Sequence, residues 1–202
     1  MRNREQFEMA QKVFRHHGGV LRMSEALKAN VHRRMLYSML EAGIIEKLDR
    51  GLYRLADLPP LGNPDLVSVS LRIPNGVICL ISALAYHEVT TQIPHEVYVA
   101  LERGSEAPRL AHPPIRVFWF SGAAFTQGIR AHKIDGVSVR IYSPEKTIAD
   151  CFKYRNKIGL DTAIEALKLH RQKKHFKSEE VMRFARVCRV EKVIRPYLEA
   201  LL

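Results

Sequence analysis

The sequence predicts an α+β fold in two domains. Three observations carry this. Apolar residues recur at helical spacing three times before residue 44, with a turn residue between the second and third runs. A hairpin pattern follows at once. A segment with three prolines, "ADLPPLGNPDL" (56–66), then separates this part from a longer stretch in which strand and helix patterns mix. Helix, helix, tight turn, helix and hairpin within about 55 residues is the order of a winged helix-turn-helix. The boundaries read as a winged helix-turn-helix domain over 1–56, a linker over 57–66 and a mixed α/β domain with a helical C-terminal tail over 67–202.

The first helix is expected over 5–17, with Phe7, Met9, Ala10, Val13 and Phe14 on its apolar side and Gly18-Gly19 as its stop. Val20-Leu21 reads as a short connector. Ser24 is the expected N-cap of "EALKA" (25–29). Asn30 tolerates the left-handed conformation of a tight turn. The third helix runs from Val31 to about Ala42, and Gly43 closes it. "IIEKLDRGLYRL" (44–55) is a hairpin around Asp49-Arg50-Gly51. Beyond the linker, helices are expected over 65–73 and over 82–89, the latter capped by Ser82. Strands follow over 96–102 and 115–121, and a hairpin around Asp135-Gly136 over 129–143. Ser143-Pro144-Glu145 opens a helix that lasts to Gly159, with serine as cap, proline in the first turn and an acid at the positive end of the dipole. "LDTAIEALKLHRQ", "SEEVMRFARVC" and "VIRPYLEALL" complete the tail.

Charge points to a polyanion. Residues 1–56 carry 11 Lys+Arg against 6 Asp+Glu, residues 57–144 carry 7 of each, and residues 145–202 carry 14 against 8. The net +11 therefore sits at the two ends, where a general solubility charge would be spread. A hydrophobic content of 47% is that of a globular chain. The longest apolar run, "GVICLISALAY" (76–86), is too short for a membrane span, and the polar start resembles neither a signal nor a transit peptide. Three scattered cysteines, Cys79, Cys151 and Cys188, argue against a disulfide framework and against zinc. The expectation is a cytoplasmic protein with no membrane contact.

In the first domain, Val31, Leu36, Met39 and Leu40 are the core anchors of the third helix. His32, Arg33, Arg34 and Tyr37 then face outward, since helical neighbours sit about 100° apart. In a helix-turn-helix this face enters the major groove of double-stranded DNA, and arginine is the commonest bidentate reader of guanine. Arg50 at the hairpin turn, and Arg22 ahead of the second helix, are candidate phosphate contacts. Lys47 and Arg54 are further candidates that read equally well as strand-surface charge.

The second domain offers little chemistry. Ser82, His87 and Asp150 are the letters of a relay, but nothing brings them together. "SGAAF" (121–125) has no DxD partner, no Walker-type loop occurs, and nine histidines give no ligand pair. No catalytic residue, metal or cofactor is expected, and the chain reads as no enzyme. "VFWF" (117–120) reads as a buried strand, or else as an exposed stacking surface. The basic tail forms a possible second surface through Arg171, Lys173, Lys174, Lys177, Arg183 and Arg186. It reads as solvated helix, extra DNA backbone contact, or contact with an acidic partner.

The segment "GGVLRMSEALKANVHRRMLYSMLEAGIIEKLDRGLYRL" resembles the N-terminal domain of AbiEi-type antitoxins, regulators of bacterial type IV toxin–antitoxin systems. "GVICLISALAYHEVTTQIPHEVYVALERG" and "IDGVSVRIYSPEKTIADCFKYRNKIGLDTAIEALK" continue the resemblance in the family's order. Asn30 stands at a turn position that is often glycine in such proteins. The resemblance implies an autorepressor that binds inverted repeats upstream of its own operon, in phage defence by abortive infection. It also implies a cognate nucleotidyltransferase toxin that the C-terminal domain antagonises, with no stable complex required. The alternative is an antitoxin that neutralises its toxin by direct binding, with DNA binding secondary.

Overall fold

The computed structural model describes residues 2–201, with side chains from Glu5, so the last residue of the expected C-terminal helix lies outside the described residues. The chain divides into two compact units. One runs through Leu71 and includes Lys133–Ser138; the other comprises Arg72–His132 and Val139–Leu202. Among the described residues the secondary structure is mixed α+β, with one three-stranded and one five-stranded sheet.

The first unit runs α1 (Arg2–His16), β1 (Val20–Arg22), α2 (Met23–Lys28), α3 (Arg33–Glu41), β2 (Ile45–Asp49), β3 (Leu52–Leu55) and α4 (Pro64–Arg72), the last residue of α4 falling in the second unit. Its sheet has the order β1-β3-β2, antiparallel throughout. Val20-Leu21 is therefore not a connector. It is a strand, with Leu21 opposite Tyr53. Nor does Ser24 cap α2. The helix starts at Met23 directly after the extended Arg22, and the Arg22 N–H donates to the Glu25 carboxylate at 2.9 Å.

Two matching C-caps set the path around α3. Asn30 has φ 60°, its N–H reaches the Leu27 carbonyl at 3.1 Å, and the Val31 N–H reaches Ala26 at 2.8 Å. Gly43 has φ 67°, with Gly43 N–H to Leu40 at 3.1 Å and Ile44 N–H to Met39 at 2.9 Å. Both are Schellman closures, which satisfy the last carbonyls of a helix and redirect the chain. The core they enclose holds Phe14, Leu21, Ala26, Val31, Leu36, Met39 and Tyr53, with Leu40 partly buried beside them. Small Ala26, fully buried, gives the other helices room to approach.

The second unit contains β4 (Val77–Ile78), α5 (Leu80–Tyr86), β5 (Val97–Glu102), β6 (Ile115–Phe120), α6 (Ala123–Thr126), most of β7 (Ile129–Ile134) and β8 (Val137–Tyr142), whose joining ends over 133–138 fall in the first unit, and α7 (Pro144–Lys153), α8 (Arg155–Ile158), α9 (Leu160–Arg171), α10 (Ser178–Val187) and α11 (Glu191–Glu199). Strand order is β6-β5-β4-β8-β7, so β6 is an edge. Ser143 caps α7 as its sequence predicts, accepting the Lys146 N–H at 3.3 Å. Two expectations fail. The helix opened by Ser143 breaks at Tyr154, which leaves helical geometry between α7 and α8. Ser82 is no cap: α5 starts earlier, and the Ser82 hydroxyl points inward, accepting the Tyr98 N–H at 3.0 Å.

Candidate nucleic-acid interface

His32 is the N-cap of α3, in extended backbone, and Arg33 and Arg34 are its first two residues. Leu36 and Met39 point into the core, fully buried. That fixes the rest: His32, Arg33, Arg34 and Tyr37 are all exposed, Tyr37 by 48%. Arg33 and Tyr37 form one i,i+4 stripe and Arg34 and Ser38 its neighbour. The stripes look toward different elements. Arg34 and Ser38 border a cleft with His32, Met35 and the α1 residues Gln6 and Phe7. Arg33 and Tyr37 lie toward β3: burial raises the Tyr53 phenol above its usual range, Tyr37 adds to this, and Arg33 opposes it.

The first turn of α3 contains no acid. Two arginines at the positive end of a helix dipole oppose ordinary helix design, where Asp or Glu stabilises that end by about 0.3–1 kcal/mol. They concentrate positive charge at a helix start whose N-cap, His32, makes no side-chain cap bond, and such a start favours an anion.

Arg22, Lys47 and Arg50 are also exposed. Arg50 sits on the β2–β3 turn, shaped by Gly51 at φ 69° and by the Arg50 N–H bond to Asp49 at 2.7 Å. Arg54 departs from expectation. It pairs across the sheet with Glu46, donating to its carboxylate at 2.6 Å, and its other terminal nitrogen donates to the Pro59 carbonyl. Its side chain is 6% exposed. The guanidinium is thus a tie between the hairpin and the segment after it, and it has no face left for DNA.

The basic C-terminal residues are exposed but not equivalent. Arg183 binds Glu180 at 2.8 Å, Arg186 lies 3.4 Å from Glu191, and Lys173 lies 3.4 Å from Glu88. Arg171 ends α9, Lys174 and Lys177 follow it, and these three carry the least compensated charge of the set among the described residues.

Ser82, His87 and Asp150 hold separate partners. Ser82 serves the Tyr98 N–H, His87 Nε2 meets the Tyr142 carbonyl at 2.8 Å, and Asp150 faces Lys146 and Cys188. The Lys146–Asp150 pair was not apparent in the sequence. Its atoms are 2.5 Å apart, both side chains are fully buried, and the ammonium lies 4.2 Å from the Tyr142 ring centre and 4.8 Å from that of Phe120. Burial pushes the Asp150 carboxyl up, against the pull of Lys146. Burial also raises the thiols of Cys79, Cys151 and Cys188, all free and inside the core. Nearby, Glu145 is 3.5 Å from His170 and 3.7 Å from Arg130. Burial works to raise its carboxyl. His170, the backbone N–H at the helix start and Ser143 overcome that and hold it at about 2. Among the described residues no group of three or more His, Cys, Asp or Glu side chains is placed to hold a metal, and no helix is long and apolar enough to cross a membrane.

These features define a two-unit α+β protein whose first unit presents a cationic helix start beside a basic hairpin. Residues 8–56 match the family model described as "Transcriptional regulator, AbiEi antitoxin", about a quarter of the chain, and this bears out the resemblance to AbiEi-type antitoxins. No curated protein matches the sequence. The fold is similar to that in the crystal structure of RV2827C protein from Mycobacterium tuberculosis, with a TM-score of 0.55 and 13% identity over 96% of this chain and 80% of that one.

Proposed function

We propose that the chain is a DNA-binding transcriptional autorepressor and antitoxin of a bacterial type IV toxin–antitoxin system, acting in abortive infection. Its first unit works as a winged helix-turn-helix, with α3 in the major groove and the β2–β3 hairpin as the wing. The observation that carries this reading is the acid-free first turn of α3, with Arg33 and Arg34 exposed on it. A phosphate or a guanine edge supplies the negative partner that the helix start lacks. Arg33, Arg34 and Tyr37 read bases, while Arg22, His32, Lys47 and Arg50 fix register on phosphates. Arg171, Lys174 and Lys177 form the stronger part of a second basic surface. The toxin in this reading is a nucleotidyltransferase encoded alongside.

The test is binding to the chain's own promoter fragment and to random DNA at two salt concentrations. Preference for the promoter is expected, and Arg33→Ala or Arg34→Ala reduces that preference by about 1–3 kcal/mol. Equal affinity for both DNAs rules the repressor reading out. Uniform weakening in the variants assigns these arginines to phosphates instead of bases.

A further inference from the structure

Trp119 is the chain's single tryptophan, and it is 43% exposed on the edge strand β6. Its neighbours Phe118 and Phe120 are buried. The "VFWF" stretch is therefore both things its sequence allows: a core strand with one aromatic ring turned out. The indole is held in place, since Nε1 donates to the Ser105 carbonyl at 3.1 Å. The Tyr154 hydroxyl donates to the Trp119 carbonyl at 3.3 Å, which joins the helix break at Tyr154 to the same strand.

Cations surround this edge. Arg116 lies over Tyr98 and Phe118, at 5.7 and 5.8 Å from their ring centres. Lys157 lies over Phe118 and Tyr154 at 5.7 and 5.9 Å, and Lys153 reaches Tyr154 at 5.9 Å from the other side of the helix break. Ring faces favour cations, so these side chains are steered into place without being neutralised. Lys153 and Lys157 are exposed, and neither has a carboxylate partner among the described residues; Arg116 has a long contact to the Glu96 carboxylate at 3.5 Å and donates to the Tyr98 hydroxyl at 3.4 Å. Strand neighbours alternate between faces, so Arg116 stands on one side of the sheet and Trp119 on the other. A stiff duplex can lie on only one side. A flexible single strand can bend round the edge, stacking a base on Trp119 while its phosphates meet the cations.

We propose that this edge binds a single-stranded polynucleotide, separately from the duplex surface of the first unit. The test uses the full chain and the fluorescence of Trp119, with dodecauridylate as the probe. Saturable quenching is expected. Lys153→Gln with Lys157→Gln weakens it and lowers the log–log salt slope by about 1.4, at about 0.7 per lost phosphate contact. Trp119→Ala, read by anisotropy of labelled dodecauridylate, weakens binding roughly five-fold or more. Arg33→Ala leaves the quenching intact, so failure of the duplex reading is seen apart from failure of this one. No quenching by dodecauridylate overturns the proposal. So does an unchanged affinity and salt slope in the double lysine variant. Equal quenching by a duplex of the same length, or by poly-glutamate, overturns it too, the latter making the edge a surface for acidic protein.

Discussion

Removing the Asp150 carboxylate should damage the second unit more than removing the whole Lys146–Asp150 pair. At 2.5 Å the gross attraction is about 7 kcal/mol for an effective dielectric constant of ~20. Desolvation costs several kcal/mol for each ion, so the intact pair contributes little net stability. The Tyr142 and Phe120 rings help the ammonium, but they cannot replace an anion. Asp150→Asn keeps the size and strands Lys146 in a fully buried site, for a loss of about 3–5 kcal/mol. Lys146→Met with Asp150→Leu removes both charges. It should lie within about 2 kcal/mol of the parent, despite the lost Cys188 contact to Asp150 at 3.2 Å. Urea unfolding followed by circular dichroism measures all three proteins, with equal m-values as the sign of a like-for-like comparison. A loss below about 1 kcal/mol for Asp150→Asn would mean that water reaches the pair. A double variant as unstable as the single would mean that packing, not charge, decides the site. Either result refutes the reasoning.

Arg54→Ala should lower stability by about 1–3 kcal/mol, through the orphaned Pro59 carbonyl and the lost Glu46 pair, and leave promoter affinity unchanged when measured well below the melting temperature. Glu145 ties stability to pH. Its folded carboxyl, at about 2, lies below its ordinary value near 4.5, so its contribution is complete above pH 4.5 and lost as pH falls toward 2. That loss is about 2–3 kcal/mol, and urea midpoints between pH 5 and 2.5 should fall less steeply in Glu145→Gln. Arg189 ends α10 in a left-handed conformation, φ 59°, with the same closure that Asn30 and Gly43 make. Arg189→Gly should therefore raise the melting temperature, by about 0.5–1 kcal/mol of stability; a drop would show that the arginine side chain matters more than its backbone strain.

Where the fold was legible, the signals were local. Asn30, Gly43 and Gly51 each mark a backbone that few residues adopt, and the three together delimit α3 and the hairpin. The outward set His32, Arg33, Arg34 and Tyr37 followed from the inward set, because a helix offers only one core face. Long-range partners hid the rest. β1 is three residues long and is a strand only because β3 lies beside it. Ser24 and Ser82 have the letters of caps, yet their helices begin one and two residues earlier, where a Glu25 carboxylate or a sheet contact decides the start. Arg54 reads equally as a DNA contact or as strand-surface charge, and no periodicity reveals that Pro59 turns back to receive it. Lys146 and Asp150, four apart, have the spacing of an exposed helical ion pair. Their burial depends on the neighbouring helices and on the Phe120 and Tyr142 rings meeting around α7, which composition does not show.

The three cysteines turn the second unit into its own clock. Cys79, Cys151 and Cys188 all lie in that unit, at most 1% exposed, with thiols that stay protonated where a surface cysteine would begin to react. A thiol reagent added to the native protein therefore modifies only molecules in which this unit has opened. The rate of modification counts those openings directly, and it is blind to fraying of the first unit, which contains no cysteine. Added duplex that binds only the first unit should leave that rate alone, whereas a ligand held by the second unit should slow it.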